Sequence, residues 1–248
     1  KTFLNKQTQT SNFMELSTLC IIPARGGSKR IPRKNIRNFL GKPIIAYSID
    51  AAMKSKLFDE VMVSTDDKEI AQVAVQYGAS VPFFRSEKNS DDYATTADVV
   101  EEVLLEYLKQ GKRYHYVFFV YPAAPFVTAE KLQIAFNILK KTDADAVVPI
   151  IRFGYPIQRG LQINNDGKIA MIWPENRNIR SQDLMPTYHD AGQYSGILVK
   201  NFLAGKKTFT ENTVPVIIPE SEVQDIDNEE DWKLAEIKFI ILNNEISK

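Results

Sequence analysis

Leu19-Cys20-Ile21-Ile22-Pro23-Ala24-Arg25-Gly26-Gly27-Ser28-Lys29-Arg30-Ile31-Pro32-Arg33-Lys34-Asn35 passes from apolar to basic and glycine-rich within one step. Leu19 to Ile22 reads as a buried parallel strand. Gly26 and Gly27 lack Cβ, so the backbone can turn sharply there and bring its N–H groups to a ligand. Arg25, Lys29, Arg30, Arg33 and Lys34 set five cations within ten residues. A strand leading into such a loop suits a polyphosphate. On charge alone a solvated basic loop serves equally well, and it is the order of strand, Arg, Gly-Gly-Ser and Lys-Asn that favours a ligand. Neither GxxxxGK[ST] nor GxGxxG occurs in this segment, so it is not a Walker A loop or a dinucleotide fingerprint.

The chain has 248 residues, 44% hydrophobic and 25% charged, which suits one globular domain over 17–248. Its net charge of zero gives no support for a nucleic-acid or acidic-membrane partner. The basic loop is therefore a local feature. Cys20, the one cysteine, lies inside the apolar strand and reads as a small core residue in a reducing, cytoplasmic setting. No apolar run approaches the ~18 residues of a membrane span. Residues 1–16 are polar and lack the apolar core of a signal peptide, so they read as a flexible N-terminal extension, with Met14 a candidate start.

Strand and helix then alternate. Residues 43–54 are helical in period, with Pro43 in the first turn. Val61 to Ser64 is a strand, and Thr65-Asp66-Asp67 caps a helix that ends near Gly78. Val81 to Phe84 reads as a further strand, 95–110 as a helix and Tyr116 to Tyr121 as a strand. Thr128 to Lys140 is a helix and Ala146 to Ile150 a strand. This pattern predicts an α/β layered sheet, whose ligands lie beyond the carboxyl ends of the strands. The loops after Ile22, Phe84 and Tyr121 should line one crevice.

After Ile150 the chain turns polar. Asn164-Asn165-Asp166-Gly167 marks a hairpin within 152–195. Its edges suggest an arm that packs on a second subunit, against the alternative of an ordinary surface hairpin. The core pattern returns from Tyr194, with a strand over 214–218 and a last helix from Asn228, capped by Asn228 or Asp227. Just before that helix, Asp225 and Asp227 stand two apart in an extended stretch. Both carboxylates then share one face, with Ile226 turned to the core. That pair suits Mg²⁺, or reads as a solvated acidic turn at a helix N-terminus.

The segment 24–35 resembles the signature loop of the sugar-nucleotide cytidylyltransferases, which make CMP-activated nine-carbon keto acids. It departs from that loop at Arg30, where the family usually carries glycine. The resemblance implies a three-layer Rossmann-like nucleotide-diphospho-sugar transferase fold, with a mostly parallel sheet and a protruding β-hairpin dimerisation arm. It implies a nucleotide site on Ala24, Arg25, Gly26, Gly27, Ser28, Lys34, Asn35 and Tyr121. Arg85 and the hydroxyl of Thr95 or Thr96 would meet the cytosine and ribose. It gives Asp225 and Asp227 the metal, Mg²⁺, and makes Arg25, Lys34, Asp225 and Asp227 the groups that carry the chemistry.

Tyr121 and Val127 replace a glutamine and an arginine of the family's loop. The run Arg180-Ser181-Gln182-Asp183-Leu184, then Tyr188-His189-Asp190-Ala191-Gly192-Gln193, is similar to the pseudaminic acid branch of that family. It departs from the branch at Tyr194-Ser195-Gly196, where two aromatics usually precede the glycine. The branch resemblance places the sugar on Gln158, Arg159, Arg180, Gln182, His189, Asp190, Gly192 and Gln193. The substrates it implies are CTP and a nine-carbon 2-keto sugar acid, handled by a homodimer with shared active sites. Arg180, or else Arg159, would grip the carboxylate from across a two-fold interface. His189 is either an acid–base group or a hydrogen-bonded pocket or core histidine, and His115 reads as structural.

Overall fold

The computed structural model describes residues 17–246; the N-terminal extension with Met14, and the last two residues, lie outside them. The apolar run before the basic loop becomes β1 (Thr18–Pro23), buried along its length as a central parallel strand requires. Its alternate residues serve opposite faces. Cys20 and Ile22 join one core, Leu19 and Ile21 the other.

The short strands β2 (Asn38–Phe39) and β3 (Lys42–Pro43) form a hairpin that leads into α1 (Ile44–Ser55), where Pro43 is the capping residue rather than a member of the first turn. β4 (Glu60–Ser64) precedes α2 (Lys68–Gln76), whose first N–H groups, those of Glu69 and Ile70, bond to the Asp67 carboxylate. Gly78, at φ +95°, closes α2 as its position predicts.

The strand expected over 81–84 does not form. Ser80 alone bridges β4, by bonds of 2.8 and 2.9 Å, and Pro82 has no N–H to extend the ladder. α3 (Thr96–Lys109) starts from a capping box made by Thr95 and Asp98. β5 (Tyr116–Val120), α4 (Ala129–Lys141) and β6 (Ala146–Arg152) complete the alternation.

The polar segment holds the predicted hairpin, β7 (Leu161–Ile163) and β8 (Ile169–Met171), with Gly167 at φ +73° in its turn. β9 (Tyr188–Asp190), β10 (Tyr194–Leu198), α5 (Val199–Gly205) and β11 (Thr213–Ile217) follow. α6 (Glu229–Ile246) is capped by Asn228, whose Oδ1 accepts the N–H groups of Glu230 and Asp231.

The main sheet runs β11-β6-β10-β5-β1-β4, with β9 also on β6. Five strands share one direction, while β9 and β10 run against them. α1, α2 and α4 cover one face, and α3 and α5 the other, giving the three-layer α/β fold. β10 fits between its neighbours because Gly196 lies against the Phe118 ring, where any Cβ would collide. A third cluster, with Ile31, Phe39, Ile226 and Trp232, ties α6 to the basic loop.

Candidate active site

The carboxyl ends of β1, β4 and β5 open onto one crevice, as strand order dictates. A cavity of about 570 Å³ there is lined by Arg25, Ser28, Lys29, Arg30, Lys34, Asn35, Tyr121, Gly192, Asp225 and Asp227. A smaller one of about 240 Å³ shares Arg25 and Tyr121 and adds Arg85, Thr95 and Thr96. The loops after Ile22, Phe84 and Tyr121 therefore meet as expected.

Within the basic loop the roles divide. The Ala24 N–H donates to the Ser64 carbonyl at 2.9 Å, and the buried Asn35 amide holds the Arg25 carbonyl at 3.0 Å. Both position the loop. Gly26 donates its N–H to Asp66 Oδ1 at 2.9 Å, and a Cβ there would stand 2.9 Å from Asp67 Oδ2. Close approach therefore requires this glycine; neither Gly26 nor Gly27 has positive φ, whereas Arg33 does, at 54°. Arg33 makes two bonds to Asp67, at 2.5 and 3.0 Å, and also pairs with Glu69. The Arg33 guanidinium brings the Asp67 carboxyl to about 2. Arg33 thus clamps the loop to the start of α2. Arg25 stands 3.0 Å from the Asp92 carboxylate, which also pairs with Lys29.

Asp225 and Asp227 flank Ile226, which is 1% exposed in the third core cluster. The extended register predicted from sequence holds, and both carboxylates reach the cavity. Lys34 joins the two halves of the site, its Nζ donating to the Ile226 carbonyl at 2.8 Å. Burial lowers the Lys34 ammonium, while Asp227 and Asp225 act to hold its proton. Burial, then the Asp227 charge, push the Asp225 carboxyl above its ordinary value. Among the described residues no group of three or more His, Cys, Asp or Glu side chains is placed to hold a metal. A cation here would take its other ligands from phosphates and water, the usual manner of Mg²⁺. The donor set fits it, because two crowded carboxylates gain most from a shared positive charge.

Arg85 is 8% exposed rather than solvated. Its Nε donates to Ser64 Oγ at 3.0 Å and its Nη2 to the Ser64 carbonyl at 2.5 Å. Burial brings it down to about 10. The Thr95 hydroxyl is committed to Asp98 at 2.6 Å, leaving Thr96 as the hydroxyl beside Tyr121.

On the other side of Tyr121, a cavity of about 260 Å³ includes Thr96, Asp190, Ser195 and Phe209. Asp190 accepts the Gly192 N–H at 2.8 Å, and Gly192, at φ +61°, faces Asp225. Gln193 is buried and braces the site. Its side-chain amide donates to the Glu222 carbonyl at 3.0 Å, and its backbone carbonyl accepts the Tyr121 N–H at 2.9 Å. His189 is exposed in β9, with its ring 4.7 Å from that of Phe153.

The remaining arm residues do not join this site. Gln158 donates to the Met185 carbonyl at 2.8 Å, Arg159 to Ser181 Oγ at 3.1 Å, and Arg180 to Asp183 at 2.7 Å. Gln182 lines a separate cavity of about 650 Å³ with Arg152, Met185 and Glu220. Asp66 and Asp67 were legible as helix-flanking acids, and Asp92 lies just before α3. Their part in holding the basic loop depends on partners distant in sequence, from Arg33 with Asp67 to Arg25 with Asp92, and has no local signal.

A family model described as cytidylyltransferase matches residues 19–216. A pseudaminic acid cytidylyltransferase of Campylobacter jejuni is 40% identical over 224 residues, covering 90% of this chain and 97% of the relative. A CMP-N,N'-diacetyllegionaminic acid synthase of Legionella pneumophila is 36% identical over 234 residues, covering 92% and 97%. Among solved structures, a CMP:2-keto-3-deoxy-manno-octonic acid synthetase complexed with CTP has a TM-score of 0.65 at 15% identity, covering 92% of this chain and 99% of that one. At that identity the likeness shows the Rossmann-like fold alone.

Proposed function

The chain belongs to the cytidylyltransferase family and is a nucleotidyltransferase, and from that premise we propose that it transfers CMP from CTP to the anomeric hydroxyl of pseudaminic acid, releasing pyrophosphate. The observation that carries this reading is Lys34. It links the basic loop to the Asp225–Asp227 turn inside the larger cavity, which Arg25 also lines. Tyr121, Thr96 and Arg85 beside Arg25 suit the nucleoside, and Asp190 and Gly192 beyond Tyr121 suit the sugar.

The sugar hydroxyl attacks the α-phosphate in line, and the pyrophosphate leaves on the opposite side. Arg25 and Lys34 hold the phosphates and balance the charge that gathers on them, so positioning and electrostatics supply most of the acceleration. Cytidylyltransferases of this fold use a divalent metal, which we assign as Mg²⁺ on Asp225 and Asp227. When bound, it neutralises charge on the transferred and leaving phosphates. Arg180, or Arg159, would grip the sugar carboxylate from a partner subunit, since neither reaches the cavity of its own chain. The enzyme is assigned to the cytoplasm. Among the described residues, no helix is long and apolar enough to cross a membrane.

The similarity to a legionaminic acid synthase favours one second reading, the same chemistry on legionaminic acid. Pyrophosphate release with CTP, Mg²⁺ and a panel of pseudaminic, legionaminic and sialic acids separates the two. The highest kcat/KM is expected with pseudaminic acid; a higher value with another acid reassigns the substrate.

A further inference from the structure

Four of the five cations in the basic loop are tied into the fold or across the crevice. Arg33 is bonded twice to Asp67, Lys34 is lodged against Ile226, and Arg25 and Lys29 both meet Asp92. Lys29 and Arg30 are each exposed and held by one carboxylate, but the partner of Arg30 belongs to the acidic turn. The Arg30 side chain is 70% exposed, and its one hydrogen bond within the described residues joins Nη2 to Asp227 Oδ1 at 2.8 Å. Both residues line the cavity. Asp227 is also one of the two carboxylates assigned to the metal.

A guanidinium and a divalent cation compete for the lone pairs of one carboxylate, and they repel each other at such range. An exposed ion pair is weak and readily exchanged. Arg30 lines the cavity with Ser28, Lys29 and Lys34, and a planar guanidinium there suits phosphate oxygens.

We propose that Arg30 is a displaceable counter-ion. It holds Asp227 while no metal is bound and turns onto the terminal phosphates of the nucleotide once a divalent cation takes that carboxylate. The proposal rests on the metal assignment above. It makes Arg30 a positioning residue whose removal has effects of opposite sign. Metal alone should bind more tightly, while the nucleoside triphosphate should bind less tightly. A nucleoside monophosphate, which has no outer phosphates, should be indifferent. A purely structural arginine would not produce that pattern.

The test is calorimetric titration of Mn²⁺ into nucleotide-free wild type, Arg30→Gln, Arg30→Gly and Asp227→Asn, followed by CTP and CMP titrations with Mg²⁺ present. Both Arg30 variants should bind Mn²⁺ about two- to fivefold more tightly, the range of an exposed ion pair. CTP should bind roughly tenfold more weakly, as loss of one charge-assisted contact implies, with CMP unchanged. Mn²⁺ binding that survives Asp227→Asn undiminished overturns the metal site, and this proposal with it. Mn²⁺ binding that is weakened by Asp227→Asn but equal in wild type and the Arg30 variants overturns the Arg30 proposal alone. So does an equal loss of CTP and CMP binding.

Discussion

Asp225 carries its charge against its surroundings. Burial and the neighbouring Asp227 raise its carboxyl, so the folded protein holds that proton more tightly than the unfolded chain does. The ionised group therefore opposes folding at any pH above its folded value, and the penalty vanishes below its unfolded one. Asp225→Asn should raise the melting temperature of the metal-free protein at pH 7, read by calorimetry in a chelator. The same substitution should cut turnover by on the order of 10²-fold or more, because the transition state loses charge stabilisation. Retained activity would contradict the metal assignment. Lys34→Ala removes a half-buried cation and leaves the Ile226 carbonyl without its donor. A loss of about 1.5–3 kcal/mol of transition-state stabilisation is expected, or roughly ten- to 150-fold in kcat/KM. Steady-state kinetics with both substrates varied would measure it.

At the first residue of β4, away from the crevice, Glu60 organises one end of the sheet. Its carboxylate accepts from Tyr107 and Ser80 at 2.7 Å, and from Tyr114 and Lys112 at 3.0 Å. Burial alone would raise this carboxyl, but the four donors outweigh it and bring it to about 2. The stability Glu60 contributes is therefore full above the ordinary carboxyl range and lost as the pH falls toward 2. Glu60→Gln should cost about 2 kcal/mol at pH 7 and flatten the acid side of the stability profile, measured by denaturant titration from pH 3 to 7. Elements of this kind were legible where periodicity was strong. β1, the helix cap at Asp67 and the hairpin turn at Gly167 all stand where local chemistry put them, and α3 and α4 begin one residue after the expected starts at 95 and 128. The extended Asp225-Ile226-Asp227 turn was legible too, because a buried isoleucine between two acids fixes both faces. What failed was long-range or hidden. Apolar content over 81–84 imitated a strand that Pro82 cannot join. The reversed β10 has no local signal, and its close fit depends on Gly196 against the Phe118 ring, which no local pattern links. Arg33 counted as one of five cations in the loop, and charge composition does not reveal that Asp67 holds it.

The whole molecule leaves an apolar arm uncovered. Tyr155, Leu161, Ile163, Ile169 and Met185 are each 60% exposed or more, in the same segment as Arg159, Arg180 and Gln182. Such a surface favours burial against another copy. On the shared-site reading, the chain runs as a dimer by light scattering, and Arg180→Ala and Asp225→Asn are each inactive alone. Mixing them restores up to about one quarter of wild-type activity, since random exchange makes half the dimers mixed and leaves each of those one intact site of two. No rescue despite demonstrated exchange would place the carboxylate ligand elsewhere. The transfer itself is read most plainly by phosphorus NMR of wild-type protein with CTP, Mg²⁺ and pseudaminic acid. Loss of the CTP signals should be matched by equimolar pyrophosphate and one new phosphodiester resonance, that of the CMP-sugar. Formation of CDP and inorganic phosphate, or pyrophosphate release that does not depend on the sugar acid, would contradict attack on the α-phosphate by the sugar.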